Sequence, residues 1–349
     1  MVSALKNLIV DTDLFSDCDD AAALLLAATS PNVNLLGVNI NSQSSYSVLA
    51  ASAILNHYDL PNVPIGARRP LNDIPFFDNW GKRAGEFASK LATHWPRSMT
   101  NAEEAHDPVE LYRELLAEAE DDSVTIASIG FLHNLSGLLN STADSISNLS
   151  GPELVETKVK ELVVMGGDYP SGYEFNFWGD DPHTTAHVIH EWKGPIVFAG
   201  YTLGQSVQSG GPLMADGPET DPVRAAYILY TYYQPRRSYD PIAMLYAIEG
   251  LGTFLEYGNA NGYNSINLDE KKGQVGRNEW VFDENVTNQH WLSAKVSHEE
   301  LGMELDRLYL KGARSSSRSS DPVGSLPRFG DCKVVRTSKP EVAAARLEL

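Results

Sequence analysis

The apolar run Leu8-Ile9-Val10 ends in Asp11-Thr12-Asp13, and Asp17 and Asp19-Asp20 follow before an Ala/Leu run over residues 21–28. The pattern reads as a buried strand that turns at once into a helix spanning Asp19–Thr29. Asp11, Asp13, Asp17, Asp19 and Asp20 place five carboxylates within ten residues at that one junction. Like charges so crowded repel one another unless a cation sits among them. Asp19 and Asp20 each have a simpler reading as an N-cap and a first-turn acid. The five acids together point to a site for a hard, oxygen-liganded cation such as calcium or magnesium.

Further along, apolar strand-like runs alternate with helical ones. Strands are expected at 7–10, 33–40, 61–66, 124–128, 161–165 and 196–199. Helices are expected at 19–29, 46–58, 108–120, 132–139, 182–192, 222–233 and 241–247. Strands that are apolar throughout, rather than alternating, imply a parallel sheet covered on both faces. The expected fold class is therefore α/β: a mainly parallel, open, Rossmann-like central sheet flanked by helices, with a small appended hairpin within 265–297. Residues 71–107 are rich in Pro, Asn, Gly and Trp and read as a long irregular region over a surface or a site. Ligands bind such sheets at the carboxyl ends of the strands. Asp11/Asp13, Gly130, Gly166-Gly167 and Gly200 all fall at or just past such ends.

The chain has 349 residues and a formal net charge of −19, which argues against nucleic acid or an anionic membrane as partner. No apolar stretch reaches the about 18–20 residues of a membrane span. Cys18 and Cys332 lie far apart, so no structural disulfide is expected. Met1–Lys6 is too short for a signal peptide, and the protein reads as cytoplasmic. Sequons at Asn134, Asn140, Asn148 and Asn285 would fit secretion instead. Residues 311–349 carry eight Lys/Arg against four Asp/Glu and a Ser-rich patch, so the acidity belongs to the preceding residues. A single domain is expected over 1–310, followed by a disordered tail. A homodimer or tetramer is left open.

Asp11-Thr12-Asp13…Asp19-Asp20-Ala21 resembles the N-terminal signature of the inosine–uridine-preferring nucleoside hydrolases, and similar motifs follow in order. They are Pro64-Ile65-Gly66-Ala67-Arg68-Arg69-Pro70-Leu71, Ile126–Leu135, Val163-Val164-Met165-Gly166-Gly167 with Glu174-Phe175-Asn176, Asp181-Pro182, and Ser238-Tyr239-Asp240-Pro241. The resemblance covers residues 7 to about 300. It implies an enzyme that hydrolyses the N-glycosidic bond of a ribonucleoside or related riboside with bound calcium (Ca2+), and it implies a small-molecule riboside as partner. The implied calcium ligands are Asp13, Asp20, the backbone carbonyl of His133, and Asp240. The implied ribose contacts are Asp19, Met165, Glu174 and Asn176. Asp13 would be the general base, and Asp11 would support the site from behind. Taken singly, Glu174 and Asn176 also read as loop-holding groups, Met165 as core, and Asp240 as a helix start.

Four departures bear on the chemistry. Five residues, 14–18, separate Asp13 from Asp19 where well-known members have three; the added Asp17 could replace a water ligand of the cation, but is expected to face solvent or make a local hydrogen bond. Tyr239 stands where many members have a histidine that protonates the leaving base, which makes Tyr239 the candidate on that side. His133 replaces a threonine. A ribose-contacting asparagine has no counterpart in 168–173, and Asn41 or Gln43 is a candidate for another ribose contact. Tyr227, Tyr230, Tyr232 and Tyr233 read equally as a base pocket or as packing, and Arg236 and Arg237 as mouth or solvated residues. Two other readings stand beside the hydrolase. One is a magnesium-dependent phosphatase of the haloacid-dehalogenase kind with Asp11 as nucleophile. The other is a non-catalytic riboside-binding protein on the same fold.

Overall fold

The computed structural model describes residues 5–15, 17–78, 85–259 and 261–316. Strand β1 (Lys6–Thr12) lies near the middle of an eight-stranded sheet. On one side of it come β2 (Val33–Ile40) and β3 (Ile65–Ala67). On the other come β4 (Val124–Ser128), β5 (Val159–Met165), Ile196–Ala199, Gln289–Ala294 and Leu255–Tyr257. Every pairing is parallel except the last, at the edge. The chain runs outward from β1 to β3 and then returns to place β4 on β1's other side. The switch point therefore lies between β1 and β4, where their carboxyl ends leave a crevice.

Leu8 and Val10 pack into the hydrophobic core on one face of β1, and Ile9 into the core on the other. That two-sided burial is why the strand reads as continuously apolar. Helix α1 (Asp19–Thr29) is buried from Asp19 through Ala27. It packs against Tyr239–Glu249 and His298–Ser315, and a helix enclosed in this way needs apolar residues all round.

Three expectations are corrected. The region 265–297 does contain a hairpin, Tyr263–Ile266 with Asn278–Val281, extended by Ser171–Gly172, but Gln289–Ala294 joins the main sheet beside Ile196–Ala199. The stretch 71–107 is not irregular throughout, because Ala88–His94 is helical. The last helix, His298–Ser315, runs past the boundary expected at 310, with Gly312 and Ala313 buried against α1. The remainder of the expected tail, 317–349, lies outside the described residues. Among the described residues no helix is long and apolar enough to cross a membrane.

On that last helix Asp306 accepts the N–H of Gly210 at 2.6 Å, fixing the left-handed turn (φ 91°) that opens Gly211–Asp216. Burial pushes the Asp306 carboxyl up to about 6. Its folded pKa then exceeds the unfolded value of about 3.9. Its contribution to stability is full below about pH 4 and is lost as the pH rises through 6. Asp306→Asn keeps the accepting oxygen. It is expected to be neutral at pH 4 and stabilising at pH 7, measured by urea denaturation at both values; equal effects at both would contradict this.

Candidate active site

The strand ladders carry the acids to the crevice. Asp11 pairs in register with Asn39 of β2 and Ser128 of β4. The next backbone bonds, Asn41 N to Thr12 O at 2.9 Å and Ile129 N to Asp11 O at 2.7 Å, bring three chain segments together. Gly130 is required there, because a Cβ would lie 2.7 Å from both Asn41 Oδ1 and the Asp13 nitrogen.

Asp11 is wholly buried beneath the site and does not line the cavity. It accepts from Asn41 (2.6 Å), Tyr112 (2.7 Å) and Asn134 (3.1 Å). Burial raises its pKa to about 7 against these donors. A carboxylate so enclosed has no access for an incoming phosphoester, which removes the phosphatase reading. Asn134 is likewise buried in this network and is no glycosylation site.

Above it, the loop from Leu14 is held by its own acids. Asp20 Oδ1 accepts from the Thr12 hydroxyl and from the Leu14 N–H (3.2 Å). The Ser47 hydroxyl binds the Leu14 carbonyl at 3.1 Å. Leu14 is left-handed (φ 45°), a conformation a leucine adopts only when its surroundings impose it. Asp19 Oδ2 accepts the N–H groups of Tyr239 (2.8 Å) and Asp240 (3.2 Å). The amino ends of α1 and Tyr239–Glu249 therefore face one another across the carboxylates, and both dipoles favour negative charge there.

Asp17, Asp19 and Asp240 offer oxygens within 4.8 Å of one another, and Asp13 lies against Asp20. Asp17 is not turned to solvent as expected. It forms an ion pair with Arg236, whose guanidinium also lies 5.3 Å from the Tyr230 ring centre and 5.7 Å from that of Tyr239. Burial is the largest cause raising the pKa values of Asp19, Asp20 and Asp240. Repulsion among the cluster adds to it, and Arg236 opposes it at Asp19. Asp19 Oδ1 and Asp20 Oδ2 are buried without a hydrogen-bond partner. Each of these acids thus has one oxygen fixed by the protein and one left over, which is the donor set a hard cation takes. The acidic cluster can bind a metal.

Over the cluster opens a cavity of about 320 Å³. Asp13, Asp20, Asp240, Met165, Glu174, Asn176 and Tyr239 line it, whereas Asp19 and His133, which the resemblance also names, do not. Glu174 caps Phe175–Trp178, accepting from Asn176 N (2.8 Å) and Gly167 N (3.0 Å), and burial raises its pKa to about 7. Asn176 Nδ2 donates to the Met165 carbonyl at 3.2 Å. Asp181 does not line the cavity and caps Pro182–Glu191.

Other candidates fall outside. Asn41 is spent between Asp11 and the Phe131 N–H (3.0 Å), and Gln43 donates to the Arg69 carbonyl at 3.1 Å. The His133 ring turns away to lie 3.2 Å from Asp180 Oδ2, its pKa lowered by burial and then by Arg68. The helix Pro222–Thr231 ends two residues earlier than expected because Tyr232 and Tyr233 are left-handed, and both rings are exposed (63% and 58%). Tyr227 is core, and Tyr230 donates to Asp78 at 2.5 Å behind Arg236. The sequence reading missed Phe76, Asp78, Tyr173, Trp178 and Tyr201 in the cavity wall. Phe76 and Asp78 fall in the Pro/Asn-rich stretch 71–107, Tyr201 follows the strand end at Gly200, and Tyr173 and Trp178 flank the Glu174-Phe175-Asn176 motif.

The family model described as inosine-uridine preferring nucleoside hydrolase matches residues 8–304. The chain belongs to that family. It is a hydrolase of N-glycosyl compounds, and the family's reaction is cleavage of the ribonucleoside N-glycosidic bond. It is 26% identical over 266 residues to the inosine-uridine preferring nucleoside hydrolase of Crithidia fasciculata, covering 70% of this chain and 79% of that one. It is 29% identical over 210 residues to the pyrimidine-specific ribonucleoside hydrolase RihA of Klebsiella pneumoniae, covering 55% and 61%. In fold it is similar to the purine-preferring ribonucleoside hydrolase from Gardnerella vaginalis, with a TM-score of 0.65 at 16% identity over 88% of this chain and 99% of that one. This nucleoside hydrolase thus shares fold and family with proteins named for different bases.

The Asp17–Arg236 pair gives a direct test of the cluster's electrostatics. Arg236→Met leaves Asp17 half-buried among other acids and is expected to cost about 3 kcal/mol in chelator. Millimolar divalent cation should recover part of that loss, and Asp17→Asn combined with Arg236→Met most of it without metal. Thermal and urea unfolding report it; no loss in the single variant would contradict the pairing.

Proposed function

We propose that this chain hydrolyses the N-glycosidic bond of a ribonucleoside, or a related riboside, with calcium held at the acid cluster. The observation that carries the reading is the orphaned, buried Oδ2 of Asp20 at the floor of the cavity, with the orphaned Oδ1 of the adjoining Asp19 behind it. Asp13, Asp20, Asp240 and the His133 carbonyl would hold the cation, and Asp19, Met165, Glu174 and Asn176 would hold the ribose. A bound divalent cation supplies Lewis-acid polarisation of water and of sugar hydroxyls.

The remaining chemistry belongs to the side chains. Asp13 takes a proton from the attacking water at a carboxylate oxygen. As the C1′–N bond lengthens the sugar gains oxocarbenium character. The surrounding carboxylates, fixed beforehand by backbone N–H groups, meet that positive charge without reorganising. Asp19 is oriented for this by the Tyr239 and Asp240 N–H bonds, and Glu174 by those of Gly167 and Asn176. Tyr239 stands at the aglycone side. Burial raises its pKa, so its O–H gives a hydrogen bond and keeps its proton.

Ribose release from inosine and uridine, measured as reducing sugar, tests the reading. Activity is expected with calcium, lost in chelator and restored on adding calcium back. Asp13→Ala is expected to lower kcat by about 10³-fold. Tight nucleoside binding with no ribose release, with calcium or magnesium present, would sink the hydrolase and leave the binding protein.

A further inference from the structure

The cavity has two electrical poles. Its floor holds the carboxylates of Asp13, Asp17, Asp20 and Asp240, while Arg236, Arg237 and Tyr239 also line it. Tyr239 spans the two. Its backbone N–H lies on Asp19, and its phenol oxygen, a side chain's length away, accepts from Arg237 Nη1 at 3.3 Å. The ring is held flat against Tyr201, with centroids 5.5 Å apart and planes 20° apart. Arg236 is neutralised by Asp17. Among the described residues Arg237 makes no ion pair, so its charge faces the cavity uncompensated. Arg237 already donates to the phenol oxygen, so the phenol's own hydrogen is left for an acceptor, and the neighbouring cation strengthens that donation.

We infer that Arg237 and Tyr239 stabilise the departing aglycone as an anion, so that this site selects ribosides whose base leaves with negative charge on a carbonyl-flanked nitrogen. The inference rests on the hydrolase reading and names its substrate class. The C1′–N bond breaks with its electron pair passing to the aglycone nitrogen. The water oxygen bonds C1′ as Asp13 takes the water's proton. The anionic base, held by the Arg237 charge and the Tyr239 O–H, takes a proton from solvent on release, and Asp13 returns its own to solvent. Cleavage separates a positive sugar from a negative base, and the cavity is charged in the opposite sense at each end. Among the described residues no histidine lines the cavity to protonate a departing base, and an aglycone with a fixed positive charge is repelled by Arg237.

The test compares leaving groups in the calcium-loaded enzyme: uridine, 5-fluorouridine, adenosine, and p-nitrophenyl β-ribofuranoside. The wild type is expected to favour uridine over adenosine. Arg237→Ala should lower kcat on uridine by about 100-fold with KM little changed, less on 5-fluorouridine, and on the nitrophenyl riboside by under about fivefold, because that anion needs little help. Arg237→Lys, which keeps the charge, should recover about tenfold on uridine. Equal losses on all leaving groups, a loss in KM alone, or a wild-type preference for adenosine would overturn the inference while leaving the hydrolase standing. Preference for uridine 5′-monophosphate over uridine would assign the cation to a phosphate and also overturn it. If the wild type cleaves none of these ribosides, the hydrolase reading itself falls and this inference with it.

Discussion

The mutual repulsion of carboxylates at the end of β1 is the constraint on which the rest depends. Two unit charges about 4 Å apart repel by about 4 kcal/mol at an effective dielectric of about 20. Asp17, Asp19 and Asp240 meet at about such range, with Asp13 and Asp20 close enough to act on Asp240. Such a cluster persists only where many weaker terms oppose it. The structure supplies them from distant places: two facing helix amino ends, the Thr12 hydroxyl, the Leu14 N–H, and one arginine. On Asp19 and Asp20 these contacts fix one oxygen and leave the other open. The acids are thereby aimed as well as tolerated, and aiming is what a cation site and a charge-stabilising site both require.

The fold was legible where periodicity and burial agree. The expected bounds of 19–29, 124–128 and 196–199 coincide with those of α1, β4 and the strand Ile196–Ala199, because both faces of each are enclosed and their apolar runs are unbroken. The acid cluster was legible because like charges crowded at a strand end are costly unless a cation or a built set of donors offsets them. What the sequence hid depends on contacts between remote residues. Arg236 sits 219 residues from Asp17, and Tyr112 sits 101 from Asp11. Nothing local marks either as a partner. The tyrosine run after Pro222 misleads for the opposite reason. Its helical spacing is real to Thr231, but the left-handed turn at Tyr232 carries Tyr233 outward. Gln289–Ala294 falls within the stretch expected to form the appended hairpin, because a six-residue strand gives no local signal of which sheet it joins.

The lengthened turn and the arginine form one adaptation. Relative to the three-residue spacing of well-known members, residues 14–18 add length and bring in Asp17. Taken alone, that acid would worsen the repulsion in the crevice. Arg236 neutralises it in place, so the cluster's net charge stays near that of its other acids. The guanidinium then occupies space beside Tyr230 and Tyr239. The change in the turn is therefore expressed on the far side of the cavity, where a histidine is the expected residue and a tyrosine stands.

Arg236 and Arg237, adjacent in sequence, consequently do different work. Their backbone forms a two-residue strand against Gln208–Ser209, and the two side chains reach different parts of the same cavity. Arg236 is turned to Asp17 and the acids, while Arg237 meets the phenol of Tyr239. Exchanging the two would leave composition and net charge unchanged but place the free cation against the carboxylates, where it would cancel the field that favours a positive sugar. Charge in this site is thus set by which partner each arginine meets more than by residue count. A sequence comparison that scored the arginines as a pair would miss the distinction, whereas their partners, Asp17 and the Tyr239 phenol, make it directly.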